Sequence, residues 1–235
     1  MSPGRAERLR ELGLWPVWRL TEQRPSAARS SDLAVGCATA HAQPPTPDTL
    51  DWTDLLATVA ACTRCGLHQG RTQSVPGTGD RNADWLLVGE APGAEEDRLG
   101  EPFVGQAGKL LDAMLAAIGQ RRGNNVYIAN VLKCRPAGNR DPDPHEVAAC
   151  LPYLKRQIDL IRPRIILALG RFAAQSLLRT DTPIGRLRGR VHDYLGVPLV
   201  VTYHPAYLLR NPADKAKVWE DLVLARRTLS QAGPG

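Results

Sequence analysis

The chain is short of several things, and each shortage narrows what it does. Aromatic residues make up 5% of it, with two Phe and two Met in 235 residues. No run of 18 or more apolar residues occurs, which excludes a membrane-spanning helix read from sequence. The N-terminus also lacks the charged-then-apolar pattern of a secretory signal. We therefore expect a soluble cytoplasmic protein with no membrane partner. Cysteine is sparse at five, and in such a compartment those five do not form a disulfide framework. Acidic residues are outnumbered, 24 against 30 Lys and Arg, for a net charge of +6. That balance suits an anionic partner, nucleic acid first.

Composition divides the chain. Residues 1–50 read as an N-terminal extension and disordered linker: residues 25–50 are dominated by Ala, Ser, Pro and Thr without helical or strand period. Ahead of that linker, LRELGLWPVWRL carries two tryptophans and reads either as a docking motif for a protein partner or as a tail that folds loosely onto the domain. Residues 51–231 alternate strand and helix patterns, and 232–235 form a tail. The strands expected are DWLLVG, NVYIAN, RIILALG and VPLVVTY; helices lie before, between and after them. This predicts an α/β fold, a three-layer α/β/α sandwich around a central four-stranded, mainly parallel sheet.

Ligands of such sheets bind beyond the carboxyl ends of the strands. Glu90, Asn130, Gly170 and His204 follow the four expected strands, so an acid, an amide and an imidazole converge on one edge. Residues 89–111, GEAPGAEEDRLGEPFVGQAGKLL, hold five glycines and five acidic side chains between an apolar strand and an apolar helix. A glycine-rich turn at that place normally cradles phosphate, which carboxylates would repel. The acids therefore point to a different chemistry.

Four of the cysteines form two pairs. Cys62 and Cys65 make a CxxC, while Cys134 and Cys150 are separated by 15 residues, too wide for the second half of a zinc ribbon. Four thiolates suit tetrahedral zinc or an iron–sulfur cluster, and the flanking Pro136 and Pro152 favour a cluster enclosed by irregular loops. Cys37, in the linker, is left without a role.

Taken in order, GEAPGAEEDRLGEPFVGQAG, YIANVLKCRPAGNRDP and YHPAYLLR, with the four cysteines, resemble the type-4, iron–sulfur branch of the uracil-DNA glycosylases. The resemblance runs from about residue 50 to residue 229. It implies a [4Fe-4S] cluster on Cys62, Cys65, Cys134 and Cys150, acting structurally, and a monomer acting on uracil in single- and double-stranded DNA. The base is rotated out of the stack into a pocket, lined by backbone groups of Glu90 and Ala91. Phe103 stacks on it, Asn130 reads its edge, and His204 donates to O2 as negative charge builds on the leaving base. The reaction passes through a sugar with oxocarbenium character, which explains nearby acids. Glu90 is the expected water-positioning carboxylate, with Glu96 and Asp97 behind it. Leu208 or Leu209 wedges into the vacated stack, Arg210 meets a phosphate, and Lys133, Arg135 and Arg140 form either a phosphate-binding rim or a solvated charged loop. The alternatives are a binding module on the same fold, or a relative that traps uracil-DNA covalently through a histidine in a KRRIH-like loop. The stretch after Asn130 holds no such histidine.

Overall fold

The computed structural model describes residues 47–231. The tryptophan-containing segment, Cys37 and most of the linker lie outside the described residues, as does the tail. Six strands build one sheet: β1 (Thr78–Gly79), β2 (Trp85–Gly89), β3 (Val126–Asn130), β4 (Ile165–Leu169), β5 (Val191–Tyr194) and β6 (Val197–Thr202), in the spatial order β1-β3-β2-β4-β6-β5. The four expected strands are the central ones and pair in parallel. The expected count of four was short by two, because β1 and β5 add antiparallel edges. β1 is only two residues long, and β5 shows no fully buried position, so neither carries the apolar signal of a central strand. β5 returns to β6 through Leu195 and Gly196, both at positive φ (55° and 83°), the backbone a tight hairpin requires.

Among the described residues the helices are α1 (Trp52–Ala60), α2 (Ala94–Leu99), α3 (Gln106–Ala117), α4 (Pro144–Ile161), α5 (Arg171–Leu178), α6 (Ile184–Leu187), α7 (Pro205–Arg210) and α8 (Lys215–Gln231). None is long and apolar enough to cross a membrane. α4 starts where its chemistry dictates. Asp143 accepts the His145 N–H at 2.8 Å, Glu146 accepts the Asp143 N–H at 2.9 Å, and Pro144 occupies the first turn, where no N–H is needed.

Alternate residues of each central strand face opposite layers, as period two demands. Leu86, Val88, Ile166 and Ala168 pack with Leu154, Ile158 and Leu177 of α4 and α5 on one face. Trp85, Leu87, Ile165 and Leu167 pack with Leu111, Leu115 and Leu222 of α3 and α8 on the other. A third cluster joins Leu55 and Val59 of α1 to Leu132, Cys134, Cys150 and Tyr153. The three-layer α/β/α arrangement therefore stands. Strand register aligns the carboxyl ends, with Gly89 opposite Asn130 and Leu169 opposite Thr202.

Candidate functional site

An open cavity of about 440 Å³ lies at those carboxyl ends, lined among others by Glu90, Ala91, Phe103, Asn130, His204 and Arg210. All five expected pocket residues thus come together. A larger groove, about 980 Å³, opens between α4, α5 and the β5–β6 turn. Its lining includes the end of the antiparallel edge strand β5 but no residue at the carboxyl ends of the four parallel strands, so the smaller cavity is the candidate site.

Asn130 is the last residue of β3 rather than the first beyond it, and it is 2% exposed. Its Oδ1 is buried without a hydrogen-bond partner, a costly state for an amide. Its neighbour across the ladder, Gly89, has no room for a side chain. A Cβ there would sit 2.4 Å from Asn130 Oδ1 and 2.6 Å from Phe103 Cζ. The strand end is therefore glycine because two side chains of the pocket occupy the space a methyl group would need.

Phe103 is 6% exposed and takes φ of 56°, a left-handed backbone that costs a non-glycine residue energy. Its carbonyl runs against α3 at Gly108, where a Cβ would clash with it. Arg122 holds the segment in place, donating to the carbonyls of Pro102 (2.8 Å) and Phe103 (2.9 Å) while pairing with Asp112 at 3.1 Å. The Phe103 ring stacks on His204, centroids 5.4 Å apart and planes at 29°.

His204 caps α7, its Nδ1 accepting the Ala206 N–H at 3.1 Å. That bond assigns the ring proton to Nε2. Burial, and then the positive charge of Arg210, push its pKa down to about 4. The imidazole is therefore a neutral N–H donor at working pH. Glu90 moves the other way. Burial, with Asp141 adding to it and Arg171 opposing, raises its carboxyl to about 7. Asp141 and Arg171 pair at 3.4 Å. Neither was picked out from the sequence, although Arg171 is two residues past the end of β4.

The remaining acids of the 89–111 loop do something other than expected. Glu96 accepts N–H groups from Gly93 (3.1 Å), Val104 (3.1 Å) and Gly105 (3.4 Å). Asp97 is buried and takes the Thr72 N–H on both oxygens, each at 3.0 Å. Asp97 is buried and does not line the cavity, so the expectation that it stands behind Glu90 is corrected; Glu96 lines the cavity with Glu90, its carboxylate held by those backbone donors. A loop rich in glycine leaves N–H groups without partners, and these carboxylates satisfy them.

Two further expectations are corrected. Leu208 is 1% exposed and packs in the α3/α8 core, so it is no wedge; Leu209 is 50% exposed. Lys133 is 1% exposed and takes no part in a rim. Arg140 does line the cavity mouth, held by two hydrogen bonds to Glu146. Arg135 donates to Asn139 at 2.7 Å.

Cys62, Cys65, Cys134 and Cys150 line one small apolar cavity, all with free sulfurs. Each of three sulfurs receives a donor: Arg71 Nη1 on Cys134 (2.9 Å), Tyr153 Oη on Cys62 (3.3 Å) and the Lys133 N–H on Cys150 (3.2 Å). Burial pushes the Cys134 thiol up, and Cys150 up to about 12. Pro152 lies inside α4, so the cavity is walled by a helix on that side and not by irregular loops alone. Among the described residues, no three His, Cys, Asp or Glu side chains converge closely enough to hold a single ion. Ala91 packs against this cluster while also lining the strand-end cavity.

Comparison with known proteins agrees with the geometry. The uracil DNA glycosylase superfamily matches residues 76–223. The chain is 49% identical over 167 residues to a type-4 uracil-DNA glycosylase of Archaeoglobus fulgidus, covering 68% of this chain and 83% of the relative. It is 43% identical over 183 residues to that of Pyrobaculum aerophilum, covering 74% and 93%. A type-5 uracil-DNA glycosylase of the latter organism is 33% identical over 175 residues, 68% and 76% of the two chains. The match extends over more than half of the chain and includes every strand-end residue of the cavity, and the protein belongs to the uracil DNA glycosylase superfamily, within its type-4 group.

Proposed function

We propose that this protein takes uracil out of DNA into the strand-end cavity and hydrolyses its N-glycosidic bond, leaving an abasic site. The observation that carries the reading is the orphaned Oδ1 of Asn130. It is a buried acceptor waiting for a donor, and uracil N3–H is one. The amide nitrogen then faces O4. Cytosine reverses both roles, with an acceptor at N3 and an amino group at C4, so a fixed amide rejects it.

His204 donates from Nε2 to O2 of the base. Being neutral, it stabilises the departing uracil anion through a hydrogen bond, without first having to gain a proton. A preorganised donor of this kind is worth about 2.7–4 kcal/mol of barrier. Phe103 offers an aromatic surface beside the base. Glu90, with its pKa near 7, is mostly ionised just above neutrality. Its carboxylate stabilises the positive sugar and orients water for attack on it. Arg210 and Arg140, at the mouth, meet phosphates, and exposed Leu209 enters the gap left by the base.

The four cysteines line one small apolar cavity, a sulfur set that fits a [4Fe-4S] cluster. Cys62, Cys65, Cys134 and Cys150 would hold it, and when bound it supplies a cross-link between the segment after α1, the loop after β3 and α4. The test is incubation of the purified protein with a uracil-containing single-stranded oligonucleotide and a thymine control, followed by alkali. Strand breakage at uracil alone is expected. Intact uracil strands from a protein carrying its iron would refute the reading.

A further inference from the structure

Lys133 is among the largest side chains sealed in the interior, at 1% exposure. Its Nζ donates to the backbone carbonyl of Asn130 at 2.8 Å and to Gln157 Oε1 at 2.6 Å. Gln157 is itself held, donating from Nε2 to the Pro76 carbonyl at 2.8 Å. Among the described residues, no carboxylate pairs with this ammonium. The backbone N–H of Lys133 donates to the Cys150 sulfur at 3.2 Å. A buried ammonium costs several kcal/mol unless an anion or a full set of acceptors replaces water. Two neutral acceptors for three N–H groups are not a full set.

We propose that Lys133 is a positioning residue that ties the base-reading amide to the cysteine centre, its ammonium clamping the Asn130 carbonyl while the anionic sulfur set supplies the charge that keeps it buried. This rests on the reading of Asn130 as the reader of uracil and of the four cysteines as cluster ligands. The geometry requires such a clamp. Asn130 Oδ1 has no protein partner to orient it, so the direction of the amide depends on its backbone, and Lys133 holds that backbone at the point where β3 ends. A cluster on four thiolates is net negative, and positive charge beside its sulfurs raises its potential. One side chain therefore serves both sites.

The test compares Lys133→Met and Gln157→Glu with the wild-type holoprotein. Met keeps the stem and deletes the charge; Glu at 157 gives the ammonium the carboxylate it lacks. Iron content, cooperative melting, single-turnover excision and the cluster's midpoint potential are measured on each. Lys133→Met is expected to keep iron and fold, to lose about ten- to a hundred-fold in excision, the effect of a charge-assisted hydrogen bond, and to shift the midpoint negative. Gln157→Glu is expected to shift it negative as well. A purely structural lysine would lower the melting temperature but leave the excision of folded molecules and the midpoint unchanged. If Lys133→Met does not fold, an unmoved midpoint in Gln157→Glu overturns the proposal. If wild type excises uracil and carries iron while both variants match it, the Lys133 inference alone fails. A wild-type protein without iron or excision removes the reading beneath it.

Discussion

Asn130→Leu separates function from stability more sharply than any other change in the cavity. Leucine keeps the approximate shape of asparagine and removes the polar atoms. In the free protein, Asn130 Oδ1 is buried with no partner, a state costing about 1–3 kcal/mol. Relieving it raises stability by up to that amount, because an apolar group in the same place has no desolvation to offset. For a domain of this size, 1 kcal/mol corresponds to about 2–4 °C in Tm, so the variant melts a few degrees above wild type at equal iron content. Its excision of uracil falls by about 10²–10³-fold, the usual cost of deleting a preorganised polar contact in a transition state. Thermal melts followed by circular dichroism and single-turnover excision give both numbers from one preparation. A variant that melts several degrees below wild type would show that the amide has a structural partner, and the argument from the orphaned oxygen would collapse.

Other predictions follow from the same geometry. Glu90, raised to about 7, must be ionised to act, so kcat/KM climbs as pH rises through about 7 and then levels. His204, at about 4, stays neutral throughout and adds no limb in that range. Glu90→Gln removes the climb. It also gains stability over wild type at pH 8, where the wild-type carboxyl is ionised against its burial, and gains none at pH 4, where that carboxyl is protonated whether folded or not. A pH–rate profile and paired melts check both signs. Gly89→Ala puts a methyl group 2.4 Å from Asn130 Oδ1 and abolishes excision while iron is retained; a fully active alanine variant would mean that Phe103 or Asn130 can move aside. Leu208→Ala costs about 2–5 kcal/mol of stability as a core truncation. Leu209→Ala leaves the melt unchanged and weakens excision from double strands more than from single strands, where no stack needs filling; equal losses on the two substrates contradict the wedge role.

The central fold was legible because its strands are continuous apolar runs and its helices carry a clear 3.6-residue stripe. The two edge strands were not, since β1 spans two residues and an edge need not be apolar on either face. Helix α2 hides in a loop whose glycines and prolines argue against helix, and it stands because Glu96 and Asp97 bind backbone N–H groups in and beside that loop. Read as charges, those two acids looked catalytic; read as acceptors, both hold backbone, and Asp97 does so away from the cavity. Composition does not distinguish the two. Leu208 and Leu209 are adjacent and chemically alike, and only the rotation of α7 sends one into the core. Lys133 was misplaced for a general reason, that lysine is mostly found at surfaces, whereas its acceptors come from Asn130 and from Gln157, 24 residues away. By contrast, Glu90, Asn130 and His204 were legible from a rule of topology, since parallel strands deliver whatever follows them to one edge.

The cap of α7 carries a consequence for the imidazole that makes it. One imidazole nitrogen ends a helix and the other faces the cavity, so the two cannot change independently. Loosening the first turn of α7 would free Nδ1 to take the proton and turn Nε2 from donor into acceptor. Leu209 and Arg210, both exposed, are on that same short helix. The tautomer of a single ring thus becomes a local record of whether the helix is seated, and the nitrogen resonances of His204 would report it.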